Sequence, residues 1–367
     1  MRPLSVPKFT ARLATVLSVC VFFLDAQPAV TISDHIVWEH DFPGYHADVL
    51  GSAVSDRDGV LWLTAHEKKS HRLLRISPDG QLLSSADFPA SLAPQPPAEL
   101  VYFHLAVSPS GTLGILAHYL HGGRNMFFDG AKFVSLGKDG TASFPKTVAG
   151  PGPEYKGFFA LSDEDDFIVM GDQEPMIVIR IGPSGDLVWR KEFPRNWDLP
   201  SGAALKNGAS CIASPAYAAP RIHVIQLDSL GNVRHRAAIA ARRAETVAGP
   251  AGQCAVLYDR EPDLKRGEFF LTSFDSTFRR EWTVPVRFPA PQGGVFQFLA
   301  VKDGYLVAAM ANNGFFLAKY DFAGQLVWSA LDPSRYYAAL ACATGEGFYL
   351  VGAGPKDRYN FHVILGK

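Results

Sequence analysis

The chain has 367 residues, a formal net charge of −1 at pH 7, 47% hydrophobic residues and 12% aromatic residues. Its basic pairs, such as Arg242-Arg243 and Arg279-Arg280, are isolated from one another. Because a nucleic-acid track needs clustered positive charge, this composition argues against a nucleic-acid partner. The apolar content suffices for one sizeable core, and no linker marks a second domain.

The first predicted element is a secretion signal over residues 1–29. A basic start precedes an apolar run from Ala14 to Leu24, and Ala26 or Ala29 provides a small residue for cleavage. The apolar run is too short to span a bilayer. We therefore predict a secreted or periplasmic protein without a transmembrane span, in which residues 30–367 form one domain.

A repeated hairpin then runs through the rest of the chain. Each copy reads apolar strand, polar turn, apolar strand, and a second hairpin follows it. The copies start 41 to 54 residues apart, at Ala53, Ala106, Ala160, Ala204, Val247, Ala300 and Ala341. A period of this length with four strands is typical of a β-propeller. We predict an all-β fold, a seven-bladed β-propeller of four-stranded blades, and expect a monomer.

The two ends of the chain complement each other. The seventh repeat lacks a fourth strand, whereas Val37-Trp38 near the start copies the pattern of Val188-Trp189 in an outer strand. We therefore predict that residues 36–42 pair beside the C-terminal strand and close the ring. Closure would remove two exposed sheet edges.

Three cysteines follow the predicted signal, in a compartment that permits disulfides. Cys211 and Cys254 occupy the same position when their repeats are aligned at Ala204 and Val247. Equivalent positions point the same way round a ring, and packed sheets lie roughly 10 Å apart, too far for a disulfide. The alignment thus predicts two buried free thiols.

Polar residues recur where the second strand of each repeat ends. The candidates for a ligand or metal site are His66, His118, Asp172 and Asp259. Imidazole with carboxylate suits a divalent ion such as calcium, magnesium or zinc, or a base with its orienting group. Solvated rim residues are the alternative interpretation, and no cofactor is firmly indicated.

Longer connections at the same end predict a binding face, because variable loops on a rigid scaffold carry binding residues. Aromatic and imidazole side chains are frequent there, and such groups concentrate at contact surfaces. The candidates are Tyr45, His46, His71, His104, His121, Tyr155, Trp197, Tyr217 and Tyr336. Loop packing is the alternative role for each of them.

Single repeats resemble two groups of propellers. Gly185 to Trp189 and Tyr320 to Trp328 are similar to the tryptophan-docking repeats of quinoprotein-like propellers, and Asp58 to Gly80 resembles NHL-type and streptogramin-lyase-like repeats. The first resemblance implies a scaffold for other envelope proteins, since the chain lacks the vicinal cysteine pair of quinoprotein dehydrogenases. The second implies a divalent metal at the channel mouth, held by a histidine that corresponds to His66 or His118.

Two functions follow from these patterns. One is an extracytoplasmic binding or scaffolding propeller that recognises a protein or a polymeric ligand such as a glycan on its long-loop face. The other is a divalent-metal-assisted lyase or hydrolase that acts at the mouth of the central channel. The sequence favours the first, and the second requires a metal at His66, His118, Asp172 and Asp259.

Overall fold

A computed structural model describes most of the chain. The described residues are 32–47, 52–67, 70–93, 100–121, 127–149, 154–172, 175–193, 200–216, 220–259, 268–287, 296–311, 314–332, 336–342, 347–353 and 361–367. The predicted signal over residues 1–29 lies outside them. None of the helices in these ranges has the length and apolar character needed to cross a bilayer.

Almost all of the regular structure in these ranges is β-strand, with two short 3-10 helices, Ile32–His35 and Ala90–Leu92. The first strands in chain order are β1 (Ile36–Phe42), β2 (His46–Ala47), β3 (Ala53–Ser55), β4 (Leu61–Glu67), β5 (Ser70–Ile76), β6 (Leu82–Asp87), β7 (Leu100–Val107), β8 (Leu113–His121), β9 (Phe127–Leu136), β10 (Lys146–Ala149), β11 (Glu154–Ala160), β12 (Phe167–Asp172), β13 (Met176–Ile181) and β14 (Leu187–Phe193). The remaining strands are β15 (Ser201–Ala204), β16 (Ser210–Pro215), β17 (Ile222–Leu227), β18 (Val233–Ile239), β19 (Ala244–Ala248), β20 (Cys254–Asp259), β21 (Glu268–Phe274), β22 (Arg280–Arg287), β23 (Phe296–Val301), β24 (Gly304–Ala311), β25 (Gly314–Tyr320), β26 (Leu326–Asp332), β27 (Tyr336–Cys342), β28 (Phe348–Ala353) and β29 (Phe361–Gly366).

These strands form seven antiparallel sheets, which confirms the predicted seven-bladed β-propeller. Blade 1 has β2 and β3 side by side along β4, followed by β5 and β6. Blades 2 to 6 each use four consecutive strands, from β7–β10 to β23–β26, and blade 7 combines β27, β28 and β29 with β1. The first strands of neighbouring blades contact one another all the way round the ring, from β3 through β27 and back to β3. They therefore line the central channel.

The core consists of seven hydrophobic clusters, one between each pair of neighbouring blades. Because both faces of a blade are covered, the middle strands are apolar throughout. In β13, β16 and β20 every side chain is buried. The outer strands face solvent more, as the mixed burial of β14 shows.

The predicted ring closure is confirmed. β1 pairs with β29 from Ile36, opposite Gly366, to Phe42, opposite Phe361. Next to this pairing, the backbone N–H of Lys367 donates to the carbonyl oxygen of His35 at 2.9 Å. The imidazole of His35 in turn stacks on Trp328 of blade 6, with ring centroids 4.0 Å apart.

Tryptophans on outer strands lock neighbouring blades together. In three cases the indole Nε1 donates to a backbone carbonyl in the turn before the outer strand of the next blade. The pairs, each 40 residues apart, are Trp38 with Pro78 at 2.8 Å, Trp189 with Ser229 at 2.9 Å, and Trp282 with Phe322 at 3.1 Å.

The expectation of two free thiols is wrong, because Cys211 and Cys254 form a disulfide with their Cα atoms 6.2 Å apart. The hairpin turns are closed by the N–H of Leu205 in blade 4 and of Gly249 in blade 5. Ala204 is therefore equivalent to Ala248, and the alignment with Val247 was one residue out of step. Since side chains alternate between faces, this one-residue shift directs the two cysteines towards each other.

Candidate functional site

The four predicted ligand residues lie at the same end of the propeller but on different blades. His66, His118, Asp172 and Asp259 fall on β4, β8, β12 and β20, near the point where each second strand ends. We call this the long-loop end, and the opposite end, which carries the tight hairpin turns, the short-turn end. Among the described residues, no group of three or more histidine, cysteine, aspartate or glutamate side chains is arranged to hold a metal ion.

A row of three histidines crosses blade 1 at the long-loop end. His46 on β2 lies opposite His66 on β4, which lies opposite His71 on β5. Directly opposite residues of antiparallel strands project from the same face. The rings of His66 and His71 are accordingly 4.2 Å apart between centroids.

Two phenylalanines extend this row towards blade 2. The ring of His71 meets the edge of Phe103, with centroids 5.2 Å apart, and Phe103 stacks on Phe88 at 3.8 Å. Phe103 is buried, whereas the other four rings keep partial exposure. We call His46, His66, His71, Phe103 and Phe88 the aromatic ladder.

The sequence pattern predicted the histidines of the ladder as separate candidates and did not predict their alignment. The relevant signal was the spacing of five between His66 and His71. Lys68 and Lys69 lie between the last paired residues, Glu67 and Ser70. A hairpin with two residues at its tip brings positions five apart directly opposite each other.

A second pair of imidazoles lies in blade 2. His104 on β7 and His118 on β8 have ring centroids 4.7 Å apart. His118 is only 3% exposed. Burial, and secondarily the nearby His104, hold the pKa of His118 well below its usual value, so its imidazole is neutral at physiological pH.

His121, the last residue of β8, lies beside the carboxylate of Asp129 on β9. Its Nδ1 lies 2.6 Å from Oδ1 of Asp129. Asp129 is the extra residue of a β-bulge, because Tyr119 pairs with Gly130 while Leu120 pairs with Phe128. Bulges redirect side chains in this way beside functional sites. A carboxylate that orients an imidazole is an arrangement used in acid–base catalysis.

Asp259 has a structural role. Its side chain is 5% exposed, and Oδ1 accepts the backbone N–H groups of Arg242 at 3.1 Å and Arg243 at 2.8 Å. These bonds fix the connection that enters β19. Oδ1 of Asp259 thus serves as an acceptor for the backbone of that connection.

The remaining predicted face residues are scattered. Tyr45 packs against the cluster between blades 7 and 1. Tyr155 and Tyr336 lie on β11 and β27. Trp197 and Tyr217 lie outside the described residues. The structure thus groups histidines within blade 1 and within blade 2.

The short-turn end carries an apolar rim that sequence analysis did not single out. The large apolar side chains that are exposed in the described ranges all lie at the start of an outer strand or in the turn before it. They are Val37, Leu82, Leu83, Phe144, Leu187, Val188, Leu230, Leu326 and Val327. Both ends of the propeller therefore present more than solvated polar groups.

Comparison with known proteins finds solved structures of similar fold but assigns no family. No family model matches the chain, and no curated protein matches it. A protein of unknown function from Dyadobacter fermentans is 11% identical, with a TM-score of 0.52 over 90% of this chain and 98% of that one. The Pyrococcus horikoshii acylaminoacyl peptidase is 9% identical, with a TM-score of 0.53 over 84% of this chain and 48% of that one.

A third similar structure is BBS1N in complex with ARL6DN. It is 11% identical, with a TM-score of 0.51 over 90% of this chain and 95% of that one. Likenesses at such low identity concern the fold alone. The chain is a β-propeller repeat protein.

Proposed function

We propose that this protein is an extracytoplasmic binding or scaffolding propeller that recognises a protein or a polymeric ligand, such as a glycan, at its long-loop end. The observation that carries the proposal is the aromatic ladder, which joins blades 1 and 2 and in which four of the five rings keep partial exposure. Rigid aromatic and imidazole rings give contact area at low entropic cost, and aromatic anchors dominate many interfaces.

Two further observations support the proposal. A propeller of similar fold, BBS1N, was solved in complex with ARL6DN, so this architecture serves protein binding elsewhere. The disulfide between Cys211 and Cys254 fits an oxidising compartment, in agreement with the predicted signal over residues 1–29. Secretion or periplasmic location and a monomeric state remain part of the proposal.

The experiment is a comparison of matched variants. The double variant His66→Ala with His71→Ala removes two imidazole rings of the aromatic ladder. The control, His235→Ala, removes an exposed imidazole on an outer strand of blade 4. Wild type and both variants are applied to immobilised glycans and to envelope proteins of the source organism. We expect binding that the double variant loses and that His235→Ala keeps. Binding that survives in the double variant would contradict the proposal.

One observation favours the second function, a divalent-metal-assisted lyase or hydrolase. The His121–Asp129 pair places an imidazole beside a carboxylate at the end of the strand that carries His118. The metal would be calcium, magnesium or zinc, and the candidate ligands are His66, His118, Asp172 and Asp259. Among the described residues these side chains form no metal-binding group, so we derive no catalytic step.

Elemental mass spectrometry of the purified protein, with melting curves with and without a chelator, separates the two functions. A stoichiometric divalent ion that His66→Ala with His118→Ala removes would establish the second. Absence of an ion and an unchanged melt would leave the binding propeller as the function to pursue.

A further inference from the structure

A carboxyl group lies in the wall of the central channel, and no described lysine, arginine or histidine forms an ion pair with it. Glu245 is the second residue of β19, the first strand of blade 5. Neighbouring blades cover both faces of this strand, yet the residue keeps partial exposure. Solvent therefore reaches Glu245 through the channel.

The position of Glu245 recurs around the ring. In blades 1 to 5 the first hairpin turn is closed by an equivalent backbone bond, whose N–H comes from Asp56, Ser108, Leu161, Leu205 and Gly249. The residues four places earlier therefore lie at one level of the channel wall. They are Ser52, His104, Gly157, Ser201 and Glu245, and all five are partly exposed.

A serine at this level bridges to the next blade in two places. The backbone N–H of Leu105 donates to Oγ of Ser52 at 3.0 Å, and the N–H of Thr246 donates to Oγ of Ser201 at 2.9 Å. In the second case Ser201 also donates to Oε2 of Glu245 at 2.9 Å. The serine hydroxyl is thus oriented, and it holds the carboxyl group in place.

The strands around Glu245 provide no positive charge. β15, β16, β20 and β23 pack against β19, and none of them contains lysine, arginine or histidine. Tyr258 and Asp259 on β20 are the ionisable side chains apart from the disulfide-bonded cysteines. No ion pair of Glu245 is found in the described part of the chain. Arg242 and Arg243, which precede β19, are exposed. A cation from outside would neutralise an ionised Glu245.

We propose that Glu245 and Ser201 form a cation site in the channel that takes the ammonium group of a primary amine. An ammonium offers three donors to the carboxylate and the neighbouring hydroxyl oxygen. Calcium requires six to eight oxygen ligands and magnesium an octahedron, which a single carboxylate does not provide. The site is independent of the aromatic ladder and of the function proposed for it.

Binding at this site would release a proton. Burial raises the pKa of Glu245 to about 7, and the hydrogen bond from Ser201 opposes that rise. Near pH 7 a large share of the carboxyl groups is therefore protonated, and an incoming ammonium favours the ionised form. We expect about tenfold tighter binding at pH 8 than at pH 6, since the ionised fraction rises by that factor.

The test is isothermal titration calorimetry of the purified protein with ethylammonium chloride at pH 6, 7 and 8. Two buffers of different ionisation enthalpy report the proton release. Glu245→Gln should weaken binding at pH 8 at least tenfold and abolish its pH dependence. Glu192→Gln, on the exposed side of β14, should leave both unchanged. Melting curves check that each variant folds.

Two further titrations complete the test. Titration with a lysine-containing tripeptide with blocked ends tests whether the site also accepts an ammonium group on a protein side chain. Binding of both probes assigns the site to lysine side chains as well, and binding of ethylammonium alone assigns it to small amines. No binding of either probe, equal binding by Glu245→Gln, or binding of calcium chloride alone would overturn the proposal.

Discussion

A Cβ atom placed on Gly231 would lie 3.0 Å from the indole ring of Trp189, which docks on the same turn from the preceding blade, and equally close to the side chain of Lys191. Gly140 occupies the corresponding turn of blade 2, and a Cβ atom there would meet nothing within 4 Å. Both glycines have positive φ, 75° and 81°. The two positions thus separate backbone strain from the side-chain contacts of Trp189 and Lys191.

We predict that Gly231→Ala destabilises the protein more than Gly140→Ala. Both substitutions carry the penalty of a left-handed backbone, about 1 kcal/mol. The steric contacts with Trp189 and Lys191 add about 1–3 kcal/mol at Gly231 alone. Urea unfolding followed by tryptophan fluorescence measures the difference. Equal losses of unfolding free energy would show that the docked indole gives way without cost.

Replacing both cysteines of the disulfide with alanine should lower the unfolding free energy by about 2–4 kcal/mol, since the bond restricts the unfolded chain. Denaturant unfolding with and without reductant measures this effect. Reductant should destabilise wild type and leave the double variant unchanged. Alkylation of the unfolded, unreduced protein followed by mass spectrometry should leave Cys211 and Cys254 unmodified, and their modification would refute the bond.

Deleting residues 30–43 should lower the melting temperature by about 10 °C or more. The deletion removes β1, leaves the edge of β29 without a partner and abolishes the bond from Trp38 to blade 1. Loss of several kcal/mol corresponds to a shift of this size in a domain of this length. The control is the protein that starts at residue 30. Equal melting temperatures would contradict the role of β1 in closure.

Glu245 should make the protein less stable as the pH rises. Its folded pKa of about 7 exceeds the ordinary glutamate pKa of 4.5. Between these values the unfolded chain has released a proton that the folded chain still holds, so stability falls as pH increases through this window and levels off above pH 7. The total effect is at most about 3 kcal/mol, reduced by solvent in the channel.

Unfolding of wild type and Glu245→Gln at pH 4.5, 6 and 7.5 tests this effect. The free energy of wild type relative to the variant should decline from the first pH to the last. A constant difference would mean that the folded carboxyl titrates at its ordinary pKa.

The fold could be predicted because each blade repeats the same local signals. The turn residues and the spacing of the repeats identified seven units, and Val37-Trp38 identified the strand that closes the ring. The relative orientation of the two cysteines could not be predicted. The hairpin turns make Ala204 equivalent to Ala248, whereas the aligned sequences matched Ala204 with Val247. A single step along a strand reverses the direction of the side chain.

The candidate site could be predicted only in part. Polar residues at strand ends marked the long-loop end, and His46, His66 and His71 do lie side by side there. Asp259 looked the same in sequence but serves backbone N–H groups of a neighbouring connection. Glu245 gave no signal, since its position in the channel wall depends on the packing of the first strands around the ring.

The bond between Cys211 and Cys254 also determines what a protease can do to this ring. A cut of the chain anywhere from residue 212 to residue 253 leaves both fragments joined through the sulfur atoms. Such a nicked protein would keep blade 4 and blade 5 in contact and migrate as a single species until it is reduced. In this sector of the ring, integrity of the molecule therefore does not depend on continuity of the backbone.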